Sequence, residues 1–306
     1  MRNGMGDKTR RMVVTGIEGQ AVRSLLERGQ LNERFEVVAL GRPALDLSET
    51  DRIGAALREA QPDVIVSAAA YTAVDRAETD EAAAHVINAV AAGQVAATAA
   101  FLGVPVIHLS TDYVFDGEKP EPYVETDQVG PTSAYGRTKL AGERAVAEAT
   151  DNHVILRTAW VYSPFGRNFL KTMLQLAESR DHINVVDDQV GNPTSALDIA
   201  DGILTVAGNL LESDAPDLRG IFHMTGSGAA TWADFAAEIF AASARHGGPM
   251  AEIGRIPSSA YPTPARRPAN SRLDCGKLER SHGVRLGDWK QATAETVERL
   301  VKDNAA

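Results

Sequence analysis

Met12-Val13-Val14-Thr15-Gly16-Ile17-Glu18-Gly19-Gln20 is the stretch on which the fold turns. A short apolar, β-branched run is followed at once by two glycines, and residues 21–28 then carry a helical pattern. A strand that turns tightly into a helix aims backbone N–H groups and the positive end of a helix dipole at one point, a place for a pyrophosphate. Gly16 makes the tight turn and Gly19 lets the backbone approach phosphate oxygens. Val22 stands where such turns usually carry a third glycine, which predicts a first helix slightly farther from the sheet. Ordinary strand-to-helix turns also contain two glycines, so the surrounding elements must carry the reading.

They do so on both sides. Further apolar runs at 35–40, 63–67, 104–109 and 153–157 read as strands, with helical patterns at about 49–60, 82–102 and 138–148 between them. The runs are continuous instead of alternating, as in strands covered on both faces. Strands alternating with helices predict a doubly wound parallel α/β sheet. Beyond about residue 160 the rhythm loosens. A helix is predicted over 168–179 and strands over 183–186 and 221–224. Thr231, with Asp234 three residues on, caps a helix running to about 245; a last helix covers about 289–302. Residues 249–268, rich in proline and serine, read as an extended surface loop. The division expected is a leader over 1–11, a dinucleotide-binding domain over 12–160 with 183–210 returning to it, and a smaller substrate-binding cap from 161–182 and 211–306.

Composition narrows the function classes. The 306 residues, 44% hydrophobic and 24% charged, suit a soluble globular chain of about two domains. A net charge of −10 argues against nucleic-acid or anionic-membrane partners. One cysteine, Cys275, excludes an internal disulfide or a thiolate metal cluster and suits a cytoplasmic location. The polar, basic start is followed by too short an apolar run for a signal peptide. Residues 82–111 lack Lys, Arg, Asp and Glu and are long enough to span a bilayer, yet they are alanine-heavy and hold Asn88, Gln94 and Pro105. They read as buried helix and strand.

Two constellations carry chemistry. The second strand ends in Gly41-Arg42 with no acid. An arginine there accommodates the 2′-phosphate of NADP, whereas a carboxylate would take the ribose hydroxyl of NAD. Arg42 as a solvated loop residue is the plainer alternative. Tyr135-Gly136-Arg137-Thr138-Lys139 places a tyrosine and a lysine four apart on one helix face. A nearby ammonium would lower the phenol pKa and suit Tyr135 to donate a proton to a carbonyl receiving hydride. Ser110-Thr111, at the end of the fourth strand, supplies a hydroxyl for the same oxygen.

These motifs, with Ala68 to Asp75, the string Leu109-Ser110-Thr111-Asp112-Tyr113-Val114-Phe115-Asp116-Gly117, Gly142-Glu143, Arg157 to Tyr162, Asn168-Phe169, Asp188 to Thr194 and Pro264 to Ser271, resemble the extended short-chain dehydrogenase/reductase family over nearly the whole chain after the leader. The nearest likeness is to its reductases of dTDP-linked 4-keto-6-deoxy sugars. The resemblance implies a Rossmann-type sheet with a smaller, mostly C-terminal cap, and NADPH as cofactor with NADH as the alternative. It implies reduction of the C4 carbonyl of dTDP-4-dehydro-6-deoxy-L-mannose. Tyr135 would be the general acid, Lys139 would bind the nicotinamide ribose and tune Tyr135, and Thr111 would orient the carbonyl. Gly16, Gly19, Gln20, Ala21, Gly41, Arg42, Asp46, Leu47, Ala70, Tyr71 and Thr72 would line the cofactor site. Asp112 and Trp160 would contact the sugar nucleotide, with Asn168 and Arg267 on its diphosphate. Some members hold Mg²⁺ through glutamates at a dimer contact. Ser24 stands at one such position, so no metal is expected and a monomer or metal-free homodimer is. A dehydratase or epimerase of the same fold is the nearest rival, but dehydratases carry Asp-Glu where this chain has Asp112-Tyr113. A non-catalytic NADP-binding regulatory subunit is the rival of another class. It would not need Thr111, Tyr135 and Lys139 together.

Overall fold

β1 (Arg10–Thr15) begins two residues before its apolar run. The reason is polar: Arg11 donates its backbone N–H to Asp63 Oδ2 at 2.7 Å and its guanidinium to Glu36 Oε2 at 3.0 Å. Arg10 and Arg11 are therefore strand, not leader. The computed structural model describes residues 9–305, and residues 1–8 of the expected leader lie outside them.

α1 (Gln20–Gln30), β2 (Phe35–Leu40), α2 (Ile53–Glu59) and β3 (Val64–Ser67) follow. Next come the short helix α3 (Val74–Ala77), then α4 (Glu81–His85) and α5 (Ala91–Leu102), which a π turn over Val86–Val90 joins into one helix. β4 (Val106–Thr111), α6 (Ala134–Ala149) and β5 (His153–Thr158) complete this half. β4 starts later than expected because the Val104 N–H is used to close α5, whose C-cap Gly103 has φ +68°. α6 starts earlier than expected, since the Ser133 side chain accepts from Gly136 N and caps it.

The second half runs β6 (Val161–Tyr162), α7 (Phe169–Ala177), β7 (His182–Val186), β8 (Val190–Gly191), β9 (Thr194–Ser195) and α8 (Ala196–Glu212). It ends with β10 (Gly220–His223), β11 (Ala230–Thr231), α9 (Trp232–Arg245), β12 (Glu252–Ile256), α10 (Gly276–His282) and α11 (Trp289–Ala305). The capping box of Thr231 and Asp234 forms as read from the sequence.

Six strands make one parallel sheet in the order β10-β5-β4-β3-β1-β2. The chain reverses its direction of winding between β1 and β3, and ligands of such sheets bind outside the strand ends at that switch. Met12, Val14, Leu25, Ile203 and Phe222 fill one face; Val13, Ile65, Val95 and Ile155 fill the other. A second core of Tyr162, Leu170, Phe235, Ile239 and Trp289 joins α7, α9 and α11.

Three expectations are corrected here. β10, assigned to the cap, extends the main sheet beside β5, where buried Phe222 and His223 need covering on both faces. β7 does not return to the sheet: its alternating burial leaves one buried face, and it pairs in parallel with β12. β12 itself lies inside the segment read as a loop. The 22-residue helix over 81–102 is long and apolar enough to cross a bilayer, but Ala84, Ala91, Val95 and Ala99 are buried, and α5 packs on α2 and α6.

Candidate active site

The glycine turn has the form a phosphate cradle needs. Gly16 has φ +99°, and a Cβ there would lie 3.2 Å from Ala69 Cβ. Gly19 is the N-cap of α1 and offers no capping side chain, and the first turn of α1 holds no acid, so its amides are free for an anion. Val22, in place of a third glycine, is buried below the turn. Gly41 closes the other side, where a Cβ would meet Ile17 Cγ1 at 2.7 Å. Arg42 is exposed at the end of β2. Asp46 Oδ1 accepts from Ser48 N and Oγ at 2.9 and 2.7 Å, which fixes the loop that carries half-buried Leu47. The residues fit a dinucleotide with an extra phosphate on its ribose.

Ala70, Tyr71 and Thr72 follow β3, after Ala68 and Ala69 have donated their backbone N–H groups to Thr15 Oγ1, and Tyr71 is held from beneath. Asn88, in the π turn, accepts from Tyr71 N at 2.8 Å and donates to Tyr71 O at 3.1 Å and Thr138 Oγ1 at 3.0 Å. A helix distortion at a functional site is a recurrent device. Asn88 was legible as the odd polar residue in an apolar helix, but its partner was not.

At the C-terminal end of β4, Thr111 Oγ1 lies beside the Tyr135 phenol on α6. Burial raises the Tyr135 pKa, and the Thr111 hydroxyl pulls it the other way. The Tyr135 ring meets Tyr113 edge-on, with centroids 5.5 Å apart. Two glycines bring α6 this close. A Cβ on Gly136 would lie 2.2 Å from Tyr113 O, and one on Gly142 would lie 2.0 Å from Asn88 O. Lys139 is buried and donates to Leu109 O at 2.7 Å and to His108 Nε2 at 3.2 Å. Burial lowers its pKa to about 8, opposed by Glu143. The expectation that Lys139 draws down the Tyr135 pKa is therefore not met: the ammonium is turned to β4, and burial controls the phenol.

Beneath the site lies a buried ion pair. Glu143 accepts two hydrogen bonds from Arg157, at 2.9 and 2.7 Å, and one from Ser110 Oγ at 2.5 Å; neither charged side chain is more than 3% exposed. This pair ties α6 to β4 and β5 directly under Thr111.

On the cap side, Asp112 is buried, and burial pushes its carboxyl up to about 7 against the Thr111 and Ser271 hydroxyls. Oδ1 accepts from Thr111 Oγ1 at 2.9 Å, and Oδ2 has no partner among the described residues. Trp160 donates to Ser271 Oγ at 3.1 Å and stacks on Trp232 with centroids 3.6 Å apart. Its φ of 47° is strained for a non-glycine residue. Gly191 makes room, since a Cβ there would come within 2.4 Å of the Trp160 ring. Arg267 donates to Asp75 Oδ2 at 2.9 Å and to the Tyr113 hydroxyl at 3.4 Å, which places it beside the Tyr113–Tyr135 ring pair.

Asn168 has a different place from the one expected. Its Oδ1 caps α7 through Lys171 N, and its amide donates to Gln20 Oε1, Ser163 O and Phe165 O. With its hydrogens shared among three acceptors, Asn168 joins the phosphate turn to the cap, and Gln20 is its partner in that joint. Ala21 sits half-buried beside it in the first turn of α1. Ser24 is buried on α1, and among the described residues no group of three or more His, Cys, Asp or Glu is placed to hold a metal ion.

Comparison with known proteins gives concordant results. The family model described as RmlD substrate binding domain matches residues 10–302. The chain is 52% identical over 291 residues to a dTDP-4-dehydrorhamnose reductase of Sinorhizobium fredii, covering 95% of this chain and 98% of that protein. A crystal structure of a dTDP-4-dehydrorhamnose reductase from Clostridium acetobutylicum superposes with a TM-score of 0.87 at 37% identity, covering 95% of this chain and 99% of that one. That of the Bacillus anthracis enzyme, in complex with NADP, superposes with a TM-score of 0.87 at 31% identity, covering 94% and 98%.

Proposed function

The chain belongs to the RmlD substrate-binding-domain family, and from that membership we propose that it reduces the C4 carbonyl of dTDP-4-dehydrorhamnose to give dTDP-L-rhamnose, with NADPH as reductant. The observation that carries the chemistry is the meeting of Thr111 and Tyr135 at the C-terminal end of β4. When bound, the cofactor supplies hydride. Tyr135 holds the proton that the carbonyl oxygen takes, and its raised pKa keeps the phenol protonated across the neutral range. Thr111, whose hydroxyl hydrogen goes to Asp112 Oδ1 in this structure, turns that hydrogen to the same oxygen when the substrate binds. Placement of these two donors before the reaction supplies most of the rate effect.

The α1 amides at Gly19–Ala21 and the exposed Arg42 hold the cofactor phosphates, and Lys139 meets its ribose. Arg267 takes the sugar-nucleotide diphosphate as a bidentate clamp, exchanging Asp75 for phosphate oxygens. Four local features of this kind explain how a chain of net charge −10 takes two anionic ligands. Trp160, with Trp232 behind it, forms an apolar wall for the sugar. Water elimination needs a second acid after Asp112; Tyr113 stands there, its hydroxyl facing Arg267. The lone cysteine suits a cytosolic reaction, and buried Ser24 brings no carboxylate to its position on α1.

NADPH consumption with enzymatically made dTDP-4-ketosugar, beside its UDP and GDP analogues, tests the substrate. Faster turnover of the dTDP sugar is expected, and equal rates with all three would overturn the assignment. Two variants test the binding residues. Arg42→Ala raises the KM for NADPH by about 10-fold and leaves that for NADH within about twofold, the scale of one charge-assisted contact. A parallel rise in both would remove Arg42 from the 2′-phosphate. Gly191→Ala displaces the Trp160 ring. It raises the sugar-nucleotide KM by about 10-fold while the NADPH KM holds, since overpacking of this kind costs about 1–3 kcal/mol. An unchanged sugar KM would show that Trp160 does not line the site.

A further inference from the structure

We propose that His108 is a positioning residue for Lys139: it takes one ammonium hydrogen, Leu109 O takes a second, and only the third is left to meet the cofactor. The inference rests on the proposed role of Lys139 and extends it to a residue outside the motif. A lysine ammonium is a freely rotating point charge with three donors, so a lysine at a defined angle needs acceptors to stop the rotation. Here Nζ lies 2.7 Å from Leu109 O and 3.2 Å from His108 Nε2. Both acceptors sit on β4, the strand that also carries Thr111.

An imidazole serves as acceptor only when neutral and in the right tautomer. Both conditions are met at His108. The ring is 1% exposed. Burial, the Lys139 charge and nearby His153 hold its pKa well below the usual histidine range. The ammonium facing Nε2 can only donate, so Nε2 presents the lone pair and Nδ1 carries the hydrogen, which Ser67 Oγ on β3 is placed to accept at 3.0 Å. The charged and titratable groups around Lys139 come from each element packed on it. Glu143 lies one turn along α6 and favours the ammonium, but its carboxylate is shared with Arg157 of β5 and Ser110 of β4. His153 of β5 acts on His108, and Tyr135 lies one turn earlier on α6. His108 is thus the neutral side chain in contact with the ammonium. Its loss leaves a buried amine with one fewer acceptor, free to rotate and to lose its charge at lower pH.

His108→Leu and His108→Gln separate this role from packing, because Gln Oε1 can stand where Nε2 stands. The measurement is NADPH affinity by fluorescence titration between pH 6 and 10, with thermal melting as the check on folding. The leucine variant is expected to bind about 10-fold more weakly at neutral pH, and its alkaline loss of affinity to move down by about one pH unit. The glutamine variant is expected to stay within about twofold of the parent. A folded leucine variant with parental affinity and pH dependence overturns the proposal, as does a glutamine variant that behaves like leucine. If the leucine variant does not fold, Ser67→Ala carries the test: the alkaline limit moves in the same direction, and an unmoved limit overturns the proposal. No sugar is present in this assay, so a wrong sugar assignment leaves the result readable. A parent protein that binds no NADPH would instead overturn the proposed function.

Discussion

Tyr135→Phe lowers turnover of the dTDP-4-ketosugar by about 10²–10⁴-fold, the usual scale for loss of a general acid, with the KM values little changed. The variant removes one oxygen and little else. The ring keeps its edge-on contact with Tyr113, and α6 stays in place through the Ser133 cap and the close approach of Gly136 to Tyr113 O. Thr111 still donates to the carbonyl oxygen, so residual activity above the uncatalysed rate is expected. The raised pKa of Tyr135 gives the effect its pH form: the phenol holds its proton through the neutral range, so the ratio of variant to parent stays flat there. Near-normal turnover would remove Tyr135 from the role of acid and leave Asp112, with its carboxyl near 7, as the next group to test.

Glu143→Ala destabilises the fold by about 3–5 kcal/mol, because it leaves the Arg157 guanidinium buried and uncompensated. Arg157 is 2% exposed, its Nη1 has no partner among the described residues, and its other contact is the Phe115 ring at 5.0 Å. A fall in the urea midpoint at unchanged slope is the expected reading. The double variant Glu143→Leu with Arg157→Met removes both charges and is expected to recover most of that loss, since an apolar pair of similar volume is often neutral in such places. It stays impaired in turnover, because Glu143 also favours the Lys139 ammonium. A single alanine variant as stable as the parent would mean that water reaches Arg157.

The legible part of the fold follows from chemistry that acts locally. The strands of the main sheet are apolar runs covered on both faces, and Phe35–Leu40 was placed to the residue. The β12 strand was hidden because Glu-Ile-Gly-Arg-Ile alternates, pairs with β7 alone and is flanked by prolines. α8, which packs on α1, has no side chain capping its start to mark it in the sequence, since Ser195 makes no capping hydrogen bond.

The site divides in the same way. Thr111 and Tyr135 meet because the end of β4 and the start of α6 carry them, whereas the glycine turn lies two strands away at the end of β1. Asn168 was read as a ligand contact from its position in a motif, whereas its amide is committed to three carbonyl-type acceptors across 148 residues of sequence and less. The direction of Lys139 could not be read either. It depends on His108, which sits in a strand interior where the sequence shows only another buried position.

In the proposed reaction, hydride reaches C4 of the sugar at the Thr111–Tyr135 end of β4. Its most direct test is reduction of the dTDP-4-ketosugar with NADPH carrying deuterium at both positions of nicotinamide C4, followed by NMR of the product. One deuterium at C4 of the sugar, its incorporation slowed together with NADPH oxidation by about 10²–10⁴-fold in Tyr135→Phe, is the expected result. Oxidation of NADPH without deuterium at C4, or full incorporation in the phenylalanine variant at the parental rate, would contradict it.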